Sequence, residues 1–248
     1  MTQTLEIGNS VQPLTNVATM AELVVDLKDR EFGDPGLGVF YGYPGYGKTF
    51  GAIFCASKFD VIHLSMQGDW TKSYFLEQLL GELGISPQRK VPQMVSQACE
   101  GLAHEGRLLI VDEADYAFKK GMIELIRDIH DGSDTPILLI GMEEFPHKLK
   151  KYDLIDSRVL RRVPALPATF KDARLIADSY SREITIEDDM VEFILERNTG
   201  NVRRMVADIR QVRKEAAKLG LKSMSRQDWG GTDFQRKDAP RPRAGLLK

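Results

Sequence analysis

An apolar run, Leu37 to Tyr41, leads straight into Gly42-Tyr43-Pro44-Gly45-Tyr46-Gly47-Lys48-Thr49, and a helical pattern follows from Lys48 to Phe59. A GxxxxGK[ST] turn between a strand and a helix leaves few folds open, because its chemistry works only where that order is kept. The glycines let backbone N–H groups wrap a β-phosphate, and the helix N-terminus adds positive potential. Lys48 is placed to reach the β- and γ-phosphates and the Thr49 hydroxyl to coordinate Mg²⁺. Gly42, Pro44, Gly45, Tyr46, Gly47, Lys48, Thr49 and Phe50 are therefore the predicted nucleotide-binding residues.

The pattern downstream extends the same plan. Val61 to Leu64 reads as a strand, Thr71 to Leu83 and Val91 to Glu105 as helices, and Leu108 to Asp112 as a strand. A helix near Gly121 to His130 and a strand at Pro136 to Gly141 follow. Strands alternating with helices predict a parallel sheet covered on both faces. Upstream, Thr19 and Glu22 have capping-box spacing, so a short helix is expected to start there, ahead of the turn Gly33-Asp34-Pro35-Gly36. Beyond Pro167 the pattern becomes all helical, in Lys171 to Arg182, Glu187 to Asn198 and Val202 to Leu219, with Ile184-Thr185 and Thr199-Gly200-Asn201 as separators. The expected divisions are an N-terminal segment over 1–36, an α/β nucleotide-binding domain over 37–166, a helical lid over 167–221 and a flexible basic tail over 222–248.

The four apolar residues Leu108 to Val111 deliver Asp112 and Glu113 to the end of a buried strand. Adjacent carboxylates there are costly in a core and useful at a metal. Asp112 is expected to hold Mg²⁺, and Glu113 to orient or deprotonate the water that attacks the γ-phosphate. Asp115 reads as a surface residue. Composition narrows the class without deciding it: 42% hydrophobic residues, with 34 Lys plus Arg against 36 Asp plus Glu, are ordinary for a globular chain. Cys55 and Cys99 stand far apart in helical stretches, and the four histidines show no ligand spacing, so no zinc site or disulfide framework is expected. Met1 to Asn16 has no secretory pattern and no long apolar run occurs, so the expected location is the cytoplasm, with no membrane partner.

Gly42 to Thr49, then Leu108-Leu-Ile-Val-Asp-Glu-Ala-Asp115, a further strand, Ser157-Arg158, and Gly200-Asn-Val-Arg203-Arg204 form a series that resembles the AAA+ ATPases over about residues 20–221. The resemblance implies an α/β P-loop fold with a five-stranded parallel sheet in the order 5-1-4-3-2, flanked by helices, and a small all-helical lid. It also implies ATP sites between subunits of a homo-oligomer. By position, Arg158 resembles an arginine finger acting on a neighbour's site, with Arg161 and Arg162 as alternatives. Arg203 resembles the lid arginine that contacts the γ-phosphate, with Arg204 beside it. One departure is the segment after the fourth strand, Met142-Glu143-Glu144, where a small polar residue is usual; Glu143 is the candidate replacement.

The compact size, the Gly-Met-Glu-Glu-Phe and Ser-Arg-Val segments and the lack of large insertions look most like the transposition-helper ATPases of Mu-like phages and insertion sequences. That resemblance implies ATP-dependent filaments on double-stranded DNA without sequence preference, delivery of that DNA to a transposase, slow hydrolysis driving disassembly, and a bacterial host cell. The alternatives are a helicase loader or replication-initiation ATPase, and a protein-remodelling module. Non-specific duplex binding needs Lys and Arg aimed at phosphates. Lys72, Arg89, Lys90, Lys119 and Lys120 are the candidate contacts, with Arg236, Lys237, Arg241, Arg243 and Lys248 of the tail as further ones.

Overall fold

Runs of β-branched and leucine residues long enough for one strand, separated by helices, assemble here into a single parallel sheet. The computed structural model describes residues 14–31, 33–119, 121–230 and 234. The strands are Leu37–Tyr41 (β1), Val61–Ser65 (β2), Leu108–Asp112 (β3), Ile137–Gly141 (β4) and Val159–Pro164 (β5), in the order β2-β3-β4-β1-β5. This is the expected order, and β5 is the strand that periodicity alone did not locate. Its residues Arg161 and Arg162 interrupt the apolar pattern, which an edge strand tolerates because one side lacks a neighbour.

Alternation along the inner strands sorts side chains between two cores. Leu37, Val39, Leu109, Val111, Ile137 and Leu139 face Lys72–Glu82 (α3), Val91–Glu105 (α4) and Met122–Ser133 (α5). Phe40, Leu108, Ile110, Leu138 and Ile140 face Thr15–Lys28 (α1) and Lys48–Lys58 (α2). Full burial of one such side chain contributes roughly 1.5–3 kcal/mol, so both helical layers are required to cover the sheet. Helix α1 lies close on β1: a Cβ at Gly38 would stand 2.6 Å from Leu27 Cδ1. This helix starts four residues before the expected cap, and the Thr19 hydroxyl donates within it to the Thr15 carbonyl. Two short helices, Phe145–Leu149 (α6) and Asp153–Asp156 (α7), link β4 to β5.

The lid is built from Phe170–Tyr180 (α8), Asp188–Asn198 (α9) and Val202–Lys218 (α10). It is larger than expected. Thr185–Ile186 (β6), which the sequence pattern treated as a separator, pairs in parallel with Ser223–Met224 (β7), and Arg226–Trp229 (α11) follows. Met224, Trp229 and Phe234 are buried in the lid core, with Trp229 and Phe234 stacked 4.8 Å apart. The expectation of a flexible tail from 222 is corrected over this stretch, because Met224, Trp229 and Phe234 pack into the lid core; Arg236, Lys237, Arg241, Arg243 and Lys248 lie outside the described residues.

Lid and α1 meet at Asp172, whose carboxylate accepts from the backbone N–H and hydroxyl of both Thr15 and Thr169. Burial pushes this carboxyl up, and the four hydrogen bonds outweigh it, holding Asp172 below the usual carboxylate range. Asp172→Ala strands those donors and is expected to lower stability by about 1–3 kcal/mol in denaturant melts near neutral pH. A depressed native value gives stability that is present above about pH 4 and lost as pH falls through that value. The difference between wild type and variant is therefore expected to shrink on acidification.

Candidate nucleotide-binding site

Ligands of open parallel sheets bind at the carboxyl ends of the strands, and the predicted residues converge there. Gly42 to Gly47 turns between β1 and α2, with Gly45 and Gly47 in the left-handed region at φ 86° and 83°. Lys48 Nζ lies 2.6 Å from the Gly42 carbonyl and 3.0 Å from that of Tyr43. Its ammonium is pushed down by burial, opposed by the nearby charges of Glu113, Asp112, Glu143 and Asp115.

Strand β3 ends as expected on Asp112, which is 2% exposed. Its Oδ1 accepts from the Glu113 N–H at 2.8 Å, while Oδ2 is buried without a partner. An ionised oxygen left bare in a core is costly, and a cation beside it removes the cost. Thr49 lines the cleft together with Glu113, the neighbour of Asp112 in sequence, and a hydroxyl and a carboxylate are the hard oxygen donors that suit Mg²⁺. Glu113 is a non-glycine residue at φ 55°, a strained conformation of the sort that gathers at functional sites. Burial and the Asp112 charge raise its carboxyl, against the opposing charges of Lys48 and Arg203.

A cleft of about 630 Å³ brings these groups together with the lid. Pro44, Gly45, Gly47, Lys48, Thr49, Phe50 and Glu113 line the sheet side, while Arg203, Arg210 and Tyr180 line the lid side. Arg203 thus faces the site, and Arg204 lies with it beside Tyr43 to Tyr46 in an adjoining cavity. Arg210, with its guanidinium over the Tyr180 ring, is a cation that sequence reading missed. Arg158 is elsewhere. Its carbonyl accepts from the Leu37 N–H at the start of β1, about 13 Å of strand away from the loop. Its guanidinium holds Asp131 through two bonds of 2.5 and 2.8 Å. Arg161 pairs with Asp26 and Arg162 with Asp156.

Asp115 is no surface residue in the expected sense. Its side chain accepts from the Met142 N–H at 2.6 Å and from Lys148 Nζ at 2.7 Å, tying the loop after β4 to the end of β3. Beside Met142, the Glu143 Oε2 is buried without a partner, and its charge acts on Lys48. Of the candidate DNA contacts, Lys72 and Lys119 share the rim above β2 and β3. A Cβ at Gly121 would lie 3.4 Å from Lys72 Nζ, and Lys119 Nζ sits 5.2 Å from the centre of the Tyr116 ring. Trp70 and Tyr74 make an edge contact in the preceding turn, their ring centres 5.1 Å apart. Arg89 and Lys90 are exposed on a different element, the turn before α4, and Lys120 lies outside the described residues. Among the described residues no cluster of His, Cys, Asp and Glu is arranged to hold a metal by itself, and no helix is long and apolar enough to cross a membrane.

Comparison with known proteins places this geometry. Residues 30–149 match the AAA domain family AAA_22. Over 213 residues the chain is 26% identical to replication factor C subunit 4 of Caenorhabditis elegans, covering 80% of this chain and 59% of that subunit, so it spans less than two thirds of this relative. The Aeropyrum pernix ORC2 protein, solved in ADPNP–ADP complexes, superimposes with a TM-score of 0.66 at 14% identity, covering 92% of this chain and 72% of that one. The Aeropyrum pernix ORC1 protein, solved in complex with DNA, gives 0.63 at 16% identity, covering 90% and 66%. The chain is an α/β protein with the fold seen in the P-loop AAA+ ATPases, and its residues 30–149 match the model of an AAA domain family.

Proposed function

We propose that this chain is a Mg²⁺-dependent ATPase that works as an oligomeric, nucleotide-controlled DNA-binding switch of the helicase-loading or replication-initiation kind. The observation that carries the ATPase reading is the cleft in which Lys48, Thr49 and Glu113 face Arg203 of the lid, with the buried charge of Asp112 acting on Glu113 and Lys48. Lys48 and the loop N–H groups bind the β- and γ-phosphates, and Thr49 and Asp112 hold Mg²⁺, which when bound neutralises charge on the phosphate oxygens. Glu113 orients the attacking water and accepts its proton. Arg203 stabilises the γ-phosphate from the same chain. Arg158, too far from its own loop, serves a neighbouring subunit's site.

The likeness to the ORC1 structure that contains DNA supports a DNA partner, with Lys72 and Lys119 as phosphate contacts on the rim. Delivery of duplex DNA to a transposase is the second reading, favoured by the segments around Gly141 to Phe145 and Ser157 to Val159. The test is fluorescence anisotropy with random-sequence single-stranded and duplex DNA under ATP, ADP or no nucleotide, over a salt series, with electron microscopy of the same samples. ATP-dependent binding that favours single strands is the expected result. ATP-dependent duplex binding that weakens steeply with salt and coincides with filaments turns the assignment to the transposition helper. Absence of DNA binding in every state overturns both and leaves a protein partner.

A further inference from the structure

Five successive carbonyls of the phosphate loop each accept a hydrogen bond, and the donors come from three directions. Lys48 serves Gly42 and Tyr43 from within the loop. The Asn201 side-chain amide donates to the Pro44 carbonyl at 2.9 Å, and the Arg203 N–H to that of Gly45 at 3.3 Å, both from the start of lid helix α10. The Asn16 amide, on α1, donates to the Tyr46 carbonyl at 2.9 Å. In a trans peptide the N–H points opposite to the C=O. Ties on Pro44, Gly45 and Tyr46 therefore set the direction of the N–H groups of Gly45, Tyr46 and Gly47.

Both asparagines bond through the amide oxygen as well as the nitrogen. Asn16 is 9% exposed; besides Tyr46 it donates to the Leu166 carbonyl at 2.7 Å and accepts from the Leu166 N–H at 2.9 Å, gripping the connection between sheet and lid. Asn201 also caps α10 by accepting from the Arg204 N–H at 3.1 Å. It packs so tightly on the loop that a Cβ at Gly45 would meet its Oδ1 at 2.4 Å.

We infer that Asn16 and Asn201 are positioning residues for the phosphates: they hold the loop's carbonyls outward so that its N–H groups converge on the β-phosphate, and through Asn201 they tie loop shape to lid orientation. Neither is among the residues that line the cleft of Lys48, Thr49 and Glu113. The inference rests on the reading of this cleft as a nucleotide site. It also gives Gly45 a reason beyond its positive φ, since a side chain there displaces Asn201.

Asn201→Ser separates the two jobs of that residue. Serine is a good helix cap and carries no charge, and it is too short to reach Pro44. Calorimetric titration with ADP and Mg²⁺ is expected to show affinity weakened about fivefold to tenfold, equivalent to about 1–1.4 kcal/mol, with the melting temperature kept. Hydrogen exchange is expected to quicken in peptides covering 42–49 while peptides from α9 keep their protection, a split that a merely loosened lid does not produce. Asn16→Ser is expected to weaken ADP binding in the same direction from the other side of the loop. Wild-type affinity in both variants overturns the inference, as does faster exchange spread equally over loop and lid. Wild-type protein that fails to bind ADP overturns the nucleotide-site reading itself.

Discussion

Glu113→Gln is expected to slow ATP hydrolysis by about 10²–10⁴-fold while ATP still binds, the range lost when a positioned general base is removed. Glutamine keeps the volume and one acceptor of the carboxylate and loses the capacity to take a proton. Nothing in the loop's grip on phosphate changes, because Lys48 and Thr49 stay in place on the same side of the cleft. The backbone at φ 55° favours neither side chain, so the substitution adds no strain. Single-turnover phosphate release measures the chemical step directly, and calorimetry on the same sample measures ATP affinity. Hydrolysis at the wild-type rate would falsify the assignment of Glu113. Loss of binding together with turnover would place the carboxylate among the groups that shape the site.

Arg158→Ala is expected to lose about 10³-fold in turnover with nucleotide affinity intact, the lower end of what an arginine supplied across an interface contributes. Such an arginine neutralises charge that spreads over the transferring phosphoryl group, which matters little to ground-state binding. Leu37 and Val159 pair at the start of their strands, and the loop leaves the far end of β1, so the guanidinium does not serve its own chain's site. Mixing separates a finger from a structural ion pair with Asp131. Arg158→Ala subunits keep Glu113, and Glu113→Gln subunits keep Arg158, so two inactive preparations are expected to regain part of the activity when combined. Mixtures that stay inactive would assign Arg158 to the α5 contact alone.

Most of this architecture was legible because local pattern and tertiary placement agree. Leu108 to Val111 is apolar without interruption since β3 is covered on both faces, and the strand ends where the carboxylates begin. Gly42 to Thr49 announces itself because one motif encodes turn, helix start and phosphate chemistry together. The misses have the opposite character. Strand β5 is held by pairing with β1 along one side, so its arginines give no apolar signal. Strand β6 is two residues long, and its partner β7 lies nearly forty residues away, too little and too far for periodicity. Asp115 looked exposed because its two donors, Met142 and Lys148, are brought over by the fold. Asn16 belongs to no motif, and Asn201 lies in the Gly200 to Arg204 segment, where the arginine drew the attention. A single asparagine gains its role from carbonyls 30 and 157 positions distant, as here.

The lid's enlarged core has a spectroscopic consequence. The chain contains two tryptophans, and the fold gives one to each region: Trp229 stacks on Phe234 inside the lid, while Trp70 stands against Tyr74 on the rim above the sheet. Replacing either indole by phenylalanine leaves a protein whose intrinsic emission reports a single region. The proposed events, a lid movement on nucleotide binding and occupation of the rim by DNA, can then be timed separately, in stopped flow, without attaching a dye.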